Sequence, residues 1–290
     1  MAVIKLTGVE KNYGKNTVLK NINLTFEENK IYGVLGRNGA GKTTLMNLIT
    51  DRLPLNKGSI TVDGEETYEN DKALSKIYYM TEQNTYPEDF KVKEIFRWTD
   101  EFYKDFDMDY ALELSRKFEL DVEKRIKALS TGYSSVCKII VTLASGAEVL
   151  IFDEPVLGLD ANHRELFYKE LMKLYVEKPI TIILSTHIIG EVSNLMEKVV
   201  IVKDGEVVSS EDAEDLIGKA YTVSGACDRV DEFTRGKKVV NTEVIAGFKE
   251  ATIVGTIEKE EKAKAIESDL SFSKVELQKL FIYLTEKGED

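Results

Sequence analysis

The sequence predicts an α/β fold over residues 1–210, a mixed sheet core flanked by helices and interrupted by a helical insertion at about 87–140, followed by a smaller α+β domain over 211–290. Three observations predict it. The near-continuous apolar run Ile31–Leu35 leads into a glycine-rich stretch and then into Thr43–Ile49, which has helical spacing. Further on, two apolar runs, Val149–Phe152 and Ile180–Leu184, are separated by the amphipathic stretch Arg164–Val176, which restores the strand–helix–strand order of a parallel sheet. After Ser209-Ser210-Glu211-Asp212 the composition shifts, and six short elements follow in the order βαββαβ, that of a ferredoxin-like unit.

In chain order, Met1–Thr7 alternates polar and apolar residues like a half-buried strand, and so does Lys20–Phe26. Ile31–Leu35 reads instead as a strand covered on both faces. From about Pro87 to Ala128 the residues Val92, Ile95, Phe96, Leu112, Leu114, Phe118 and Leu120 recur at helix-like intervals among charges, which predicts two or three helices. Val199–Val202 and Glu206–Val208 flank Asp204-Gly205, the signal of a tight hairpin. The C-terminal elements are predicted as strand 221–224, helix 227–234, strands 238–246 and 251–257, helix 258–268, a short strand, and a closing helix over Glu276–Phe281.

Composition narrows the function classes. The 290 residues carry 39 basic and 51 acidic side chains, a net charge of −12, which opposes binding to a nucleic-acid backbone and gives no general attraction to anionic lipid. Cys137 and Cys227 are far apart, with no His or Cys at metal-ligand spacing, and read as free thiols of a reducing compartment. The N-terminus has no apolar run of signal-peptide length, and no stretch of about 18 apolar residues would span a bilayer. A cytoplasmic globular protein is the expectation.

The chemistry concentrates in two places. Gly36-Arg37-Asn38-Gly39-Ala40-Gly41-Lys42-Thr43 has glycines where a backbone must bend around an anion. Successive N–H groups there point inward, the following helix adds its positive end, and Lys42 reaches the β- and γ-phosphates of a nucleotide. Thr43 offers a hydroxyl to Mg²⁺, and Thr44 can touch the α-phosphate. Asp153 and Glu154 follow the apolar strand that ends at Phe152. A carboxylate at that position holds Mg²⁺ through water, and its neighbour can polarise an attacking water.

Over residues 2 to about 210 these motifs, with others in the same order, resemble the ATP-binding-cassette ATPases. Tyr13 sits where that family places an aromatic against adenine. Gln83 sits at the loop that contacts Mg²⁺ and the attacking water. Leu129-Ser130-Thr131-Gly132-Tyr133 resembles the Leu-Ser-Gly-Gly-Gln signature, with Thr131 and Tyr133 departing from it while Ser130 and Gly132 remain. Pro155–Asp160 resembles the stretch whose aspartate crosses a dimer interface, and Ser185-Thr186-His187 the switch histidine that contacts the γ-phosphate.

The resemblance implies ATP and Mg²⁺ as cofactors and Glu154, His187 and Gln83 as catalytic residues. It implies nucleotide contacts from Tyr13, Asn38, Gly39, Ala40, Gly41, Lys42, Thr43 and Thr44, with Ser130, Gly132 and Asp160 acting across a dimer. Thr43, Gln83 and Asp153 would serve the metal. The implied assembly is a head-to-tail homodimer, or a heterodimer with another such ATPase subunit, attached to a separate transmembrane permease on the inner face of the cell membrane, with no nucleic acid. Export of a peptide, antibiotic or lipid is expected. The alternative is a soluble member of the family not coupled to transport; its long coiled coils, zinc modules and tandem cassettes are not found in this sequence. A small-molecule kinase would lack the signature and the switch histidine.

Overall fold

The computed structural model describes residues 2–187 and 189–285, and Met1, Ile188 and residues 286–290 lie outside the described set. Two compact units result: residues 1–187 with 202–208, and residues 188–201 with 209–290. The sequence reading draws a single boundary near 210, whereas here the segment 188–201 groups with the second unit.

The first unit opens with strands β1 (Ile4–Tyr13) and β2 (Asn16–Phe26), then β3 (Ile31–Leu35), helix α1 (Lys42–Ile49), β4 (Lys57–Val62) and the short β5 (Glu65–Glu66). Strands β2, β1, β4 and β5 form an antiparallel sheet in that order. One turn of helix, α2 (Asp71–Leu74), capped by the Asn70 side chain on Ala73 N, precedes β6 (Ile77–Met80). The predicted insertion follows as α3 (Val92–Phe102), α4 (Met108–Lys117) and α5 (Thr131–Ala144). Helix α4 starts where Asp107 accepts a bond from Tyr110 N at 2.9 Å, and its last turn carries Arg116 and Lys117 against the negative end of the helix. Then come β7 (Val149–Asp153), α6 (Ala161–Glu177) and β8 (Thr181–Ser185).

Strands β6, β7, β8 and β3 pair in parallel, in that order. All residues of β3, β7 and β8 are buried, which is why each reads as an unbroken apolar run rather than an alternation. The register sets Met80 beside Phe152, Asp153 beside Ser185, and Ser185 beside Val34, so the carboxyl ends of all four strands share one edge. Ligands of open α/β sheets bind beyond that edge.

The second unit contains α7 (Ile189–Val192). Strands β9 (Lys198–Lys203) and β10 (Glu206–Asp212) each contribute residues to both units. Asp204 and Gly205 between them have φ of 49° and 80°, as the predicted tight turn requires. The chain continues as α8 (Ala213–Gly218), β11 (Ala220–Ala226), α9 (Cys227–Phe233), β12 (Lys238–Ile245), β13 (Phe248–Val254), α10 (Lys259–Glu267), β14 (Ser271–Lys274) and α11 (Leu277–Thr285). Its sheet has the order β12-β13-β11-β14 with every neighbouring pair antiparallel. Val223, Val230, Ala251, Ile253 and Leu270 form its core.

Candidate active site

A cavity of about 610 Å³ opens at the carboxyl edge of the parallel sheet. It is lined by the glycine-rich loop from Asn38 to Thr44 together with Tyr13, Asp153, Glu154 and His187. The loop is shaped by its glycines: Gly41, the residue before α1, has φ of 107°, and a Cβ there would lie 2.7 Å from the Leu19 side chain. No other residue type fits that bend without strain. The turn is closed by Ala40 N donating to Arg37 O at 3.0 Å.

Lys42 is the first residue of α1 and only 7% exposed. Its Nζ donates to Gly36 O at 2.7 Å. Burial pulls its pKa below the ordinary lysine value, against the opposing pull of Glu154, Asp153 and Glu82. The next residue, Thr43, donates its hydroxyl to Asp153 Oδ2 at 2.7 Å, and Tyr79 OH donates to the same oxygen at 3.3 Å. Burial and the Asp153 charge push the Tyr79 phenol well above its usual range, so it stays a donor. Asp153 itself is fully buried, and its Oδ1 finds no hydrogen-bond partner among the described residues. An orphaned carboxylate oxygen beside a threonine hydroxyl fits a hard divalent cation. Mg²⁺ takes one or two protein oxygens, with water and substrate phosphates completing its shell.

Glu154 adopts φ of 49°, the left-handed region, and its N–H donates to Ser185 O at 2.8 Å. This turn swings the side chain out of the sheet into the cavity. There Oε2 lies 2.9 Å from His187 Nδ1 and accepts from Thr186 Oγ1 at 3.3 Å. The histidine, about half exposed, thus orients the carboxylate. Tyr13 stands at the cavity mouth, 48% exposed, with the Lys11 ammonium 5.2 Å from its ring centre, and presents an aromatic face.

A family model described as ABC transporter matches residues 19–157. The ABC transporter ATP-binding protein YtrB of Bacillus subtilis is 29% identical over 226 residues, which cover 78% of this chain and 77% of that protein. The lantibiotic transport ATP-binding protein SrtF of Streptococcus pyogenes is 29% identical, covering 74% and 95%. The ribose import ATP-binding protein RbsA of Streptococcus agalactiae is 27% identical, covering 72% of this chain but 45% of that protein. A bacterial ABC transporter cassette solved as a dimer superposes with a TM-score of 0.65 at 26% identity, covering 72% and 98%. Residues 19–157 carry the ABC transporter domain.

The rest of the cassette's motifs fall in two groups. Ser130, Gly132 and Asp160 do not line the cavity. Ser130 is the N-cap of α5, its Oγ accepting from Tyr133 N at 3.3 Å, and Asp160 is the N-cap of α6, its Oδ1 accepting from His163 N at 2.9 Å. The two caps are held together: Gly132 approaches so near Gly158 O that a Cβ would sit 2.8 Å from it, and Ser135 Oγ donates to Leu157 O at 3.2 Å.

Gln83 is exposed and absent from the lining, where its neighbour Glu82 stands instead. The Gln83 carbonyl accepts from Thr81 Oγ1 at 2.8 Å. Behind this loop, buried Lys138 of α5 donates to Thr81 O and Glu82 O at 2.9 and 2.5 Å. Sequence reasoning missed Glu82, Tyr79 and Lys138. A lysine among the apolar residues Val136, Cys137, Ile139 and Ile140 was the one available signal.

Proposed function

We propose that this ATPase works as a head-to-tail dimer that closes on two ATP molecules and drives a separate membrane subunit. The observation that carries the reading is the division just described. One set of groups converges on the cavity, and a second set, Ser130, Gly132 and Asp160, sits at helix N-termini outside its lining, as a face that completes the cavity of another subunit would. An anion is favoured at the N-terminus of α5, where a γ-phosphate would meet the positive end of the helix.

In the cavity Lys42 and the loop N–H groups hold the phosphates. Thr43 and Asp153 would hold Mg²⁺, which would offset the phosphate charge when bound. Glu154 positions and deprotonates water, with His187 fixing the carboxylate and sensing the γ-phosphate. Tyr13 stacks on the base.

For coupling, the support is a groove of about 330 Å³ between β6 and α3, lined by Arg52, Tyr78, Tyr86, Trp98, Phe102 and Tyr103. Trp98 and Phe102 are 41% and 65% exposed there. A cytoplasmic helix of the membrane subunit is the partner the reading requires. No helix among the described residues is long and apolar enough to cross a membrane, and the reading gives that path to a separate subunit. The cassette then sits at the cytoplasmic face. Export of a peptide, antibiotic or lipid is the direction we favour, on the likeness to a lantibiotic transport protein that this chain nearly spans; the ribose import relative is matched over less than half its length. The residues after 210 act as an accessory domain.

The test is subunit mixing. Ser130→Ala and Lys42→Ala chains are each expected to be inactive. Dimers carrying one of each contain one undamaged composite site and regain hydrolysis. Demonstrated subunit exchange without recovery would refute the shared site. Co-purification with a polytopic membrane protein tests the coupling.

A further inference from the structure

His163 has no role in the mechanism above, yet it joins the two parts of the outward face. From the first turn of α6 its Nδ1 lies 2.9 Å from Asp160 Oδ2, while its backbone N–H caps through the other carboxylate oxygen. Its Nε2 lies 3.3 Å from Phe118 O. The ring stacks on Phe118, with centroids 6.0 Å apart and planes 10° apart, and it meets the Tyr133 ring in a T-shaped contact at 5.8 Å. Only 21% of the side chain is exposed, against 64% for Asp160. One ring therefore touches the carboxylate at the end of the 155–160 loop and the side chain that replaces glutamine in the signature.

We infer that His163 is a positioning residue for the partner's site: it fixes the Asp160 carboxylate relative to the Ser130–Tyr133 turn, through Tyr133, so that both meet the other subunit's nucleotide in register. The inference rests on the shared-site dimer proposed above. Both oxygens of Asp160 are engaged, one by the backbone and one by the ring, so the carboxylate has a single orientation. Without the ring bond it would rotate while remaining an N-cap, because the His163 N–H bond does not depend on the side chain. Tyr133, too large and too weak an acceptor to replace an amide, gains a fixed place by packing on the imidazole. A plain packing role for His163 would put the defect of a variant in its own fold, with no preference for either subunit's site.

The experiment uses full-length heterodimers purified through two different tags. His163→Phe keeps a ring against Phe118 and Tyr133 and removes the bond to Asp160. On its own it should leave ATP affinity unchanged and lower kcat roughly 10-fold, within what misplacing catalytic groups costs. His163→Asn, which retains a donor near Asp160, should recover part of the rate. The decisive comparison combines Lys42→Ala with His163→Phe in two arrangements. On opposite subunits they leave one composite site intact. On the same subunit, beside an unaltered partner, they damage both sites, so activity should be roughly 10-fold lower. The opposite ranking would mean that His163 acts on its own subunit's nucleotide, and equal rates that it acts through stability alone; either overturns the inference. Ser130→Ala run in the same two arrangements separates the premises. If it ranks as predicted and His163→Phe does not, only the positioning role falls. If neither ranks, the shared-site dimer falls with it. A His163→Phe chain hydrolysing at the parent rate, or an Asn variant no better than Phe, also overturns it.

Discussion

Replacing Lys42 with Met tests the phosphate loop with little else disturbed. Methionine nearly matches the lysine stem in length, so α1 can start at the same residue and the cavity floor stays filled. What disappears is an ammonium that is 7% exposed and bonded to Gly36 O at 2.7 Å. Water cannot take its place at that depth. A charge-assisted bond to phosphate contributes about 1.5–3 kcal/mol, so one lost contact weakens ATP binding by about 10- to 150-fold. The upper end is expected, because Asp153, Glu154 and Glu82, whose charges all act on Lys42, are left facing the triphosphate without it. The assay is an equilibrium titration with a fluorescent ATP analogue at fixed Mg²⁺ and ionic strength, with a thermal melt to show that the variant is folded. A folded variant with Kd within about 3-fold of the parent, far below the expected loss, would refute the assignment of Lys42 to the phosphates.

Three further outcomes follow from the site. Glu154→Gln keeps the turn and loses the basic oxygen, so kcat should fall by roughly 10²-fold or more while ATP still binds; light scattering should find an ATP-stabilised dimer, and a parent-like rate would remove Glu154 from the chemistry. Because burial lowers the Lys42 pKa and bound phosphate favours its charged form, ATP binding takes up a proton once the pH exceeds the lowered value of the free site. Affinity should therefore weaken on the alkaline side, below the pH at which an ordinary lysine titrates, and Lys42→Met should lack this dependence in the same titration. Gly132→Ala sets a Cβ 2.8 Å from Gly158 O and forces the two caps apart. It should cost about 1–3 kcal/mol in urea unfolding and lower kcat, leaving ATP affinity intact.

The glycine-rich loop was legible in the sequence because its geometry admits few residue types: Gly41 at φ 107° can be little else. The pair Asp153-Glu154 was legible because a fully buried strand announces its own carboxyl end. Pairings were not. Nothing in the alternation of β1 and β2 tells that β4 completes their sheet, and Lys57–Val62 escaped notice. The contact of Tyr133 with His163 joins α5 to α6, and a histidine at the start of a helix gives no local sign of it. The Gln83 assignment shows the limit of motif transfer: in an irregular loop a shift of one residue exchanges the inward side chain, and Glu82 lines the cavity. The grouping of 188–201 with the second unit is likewise a matter of tertiary packing, which composition does not register.

The backbone at Glu154 bears on how this protein can be improved. A non-glycine residue at φ 49° is held there at a cost on the order of 1–3 kcal/mol. Glycine or asparagine at 154 would relax that turn and leave the phosphate loop untouched. A library sorted by heat resistance alone, or by nucleotide capture, would therefore enrich chains that grip ATP firmly and, on the role proposed for Glu154, hydrolyse it slowly. Any screen for a hardier version has to count released phosphate.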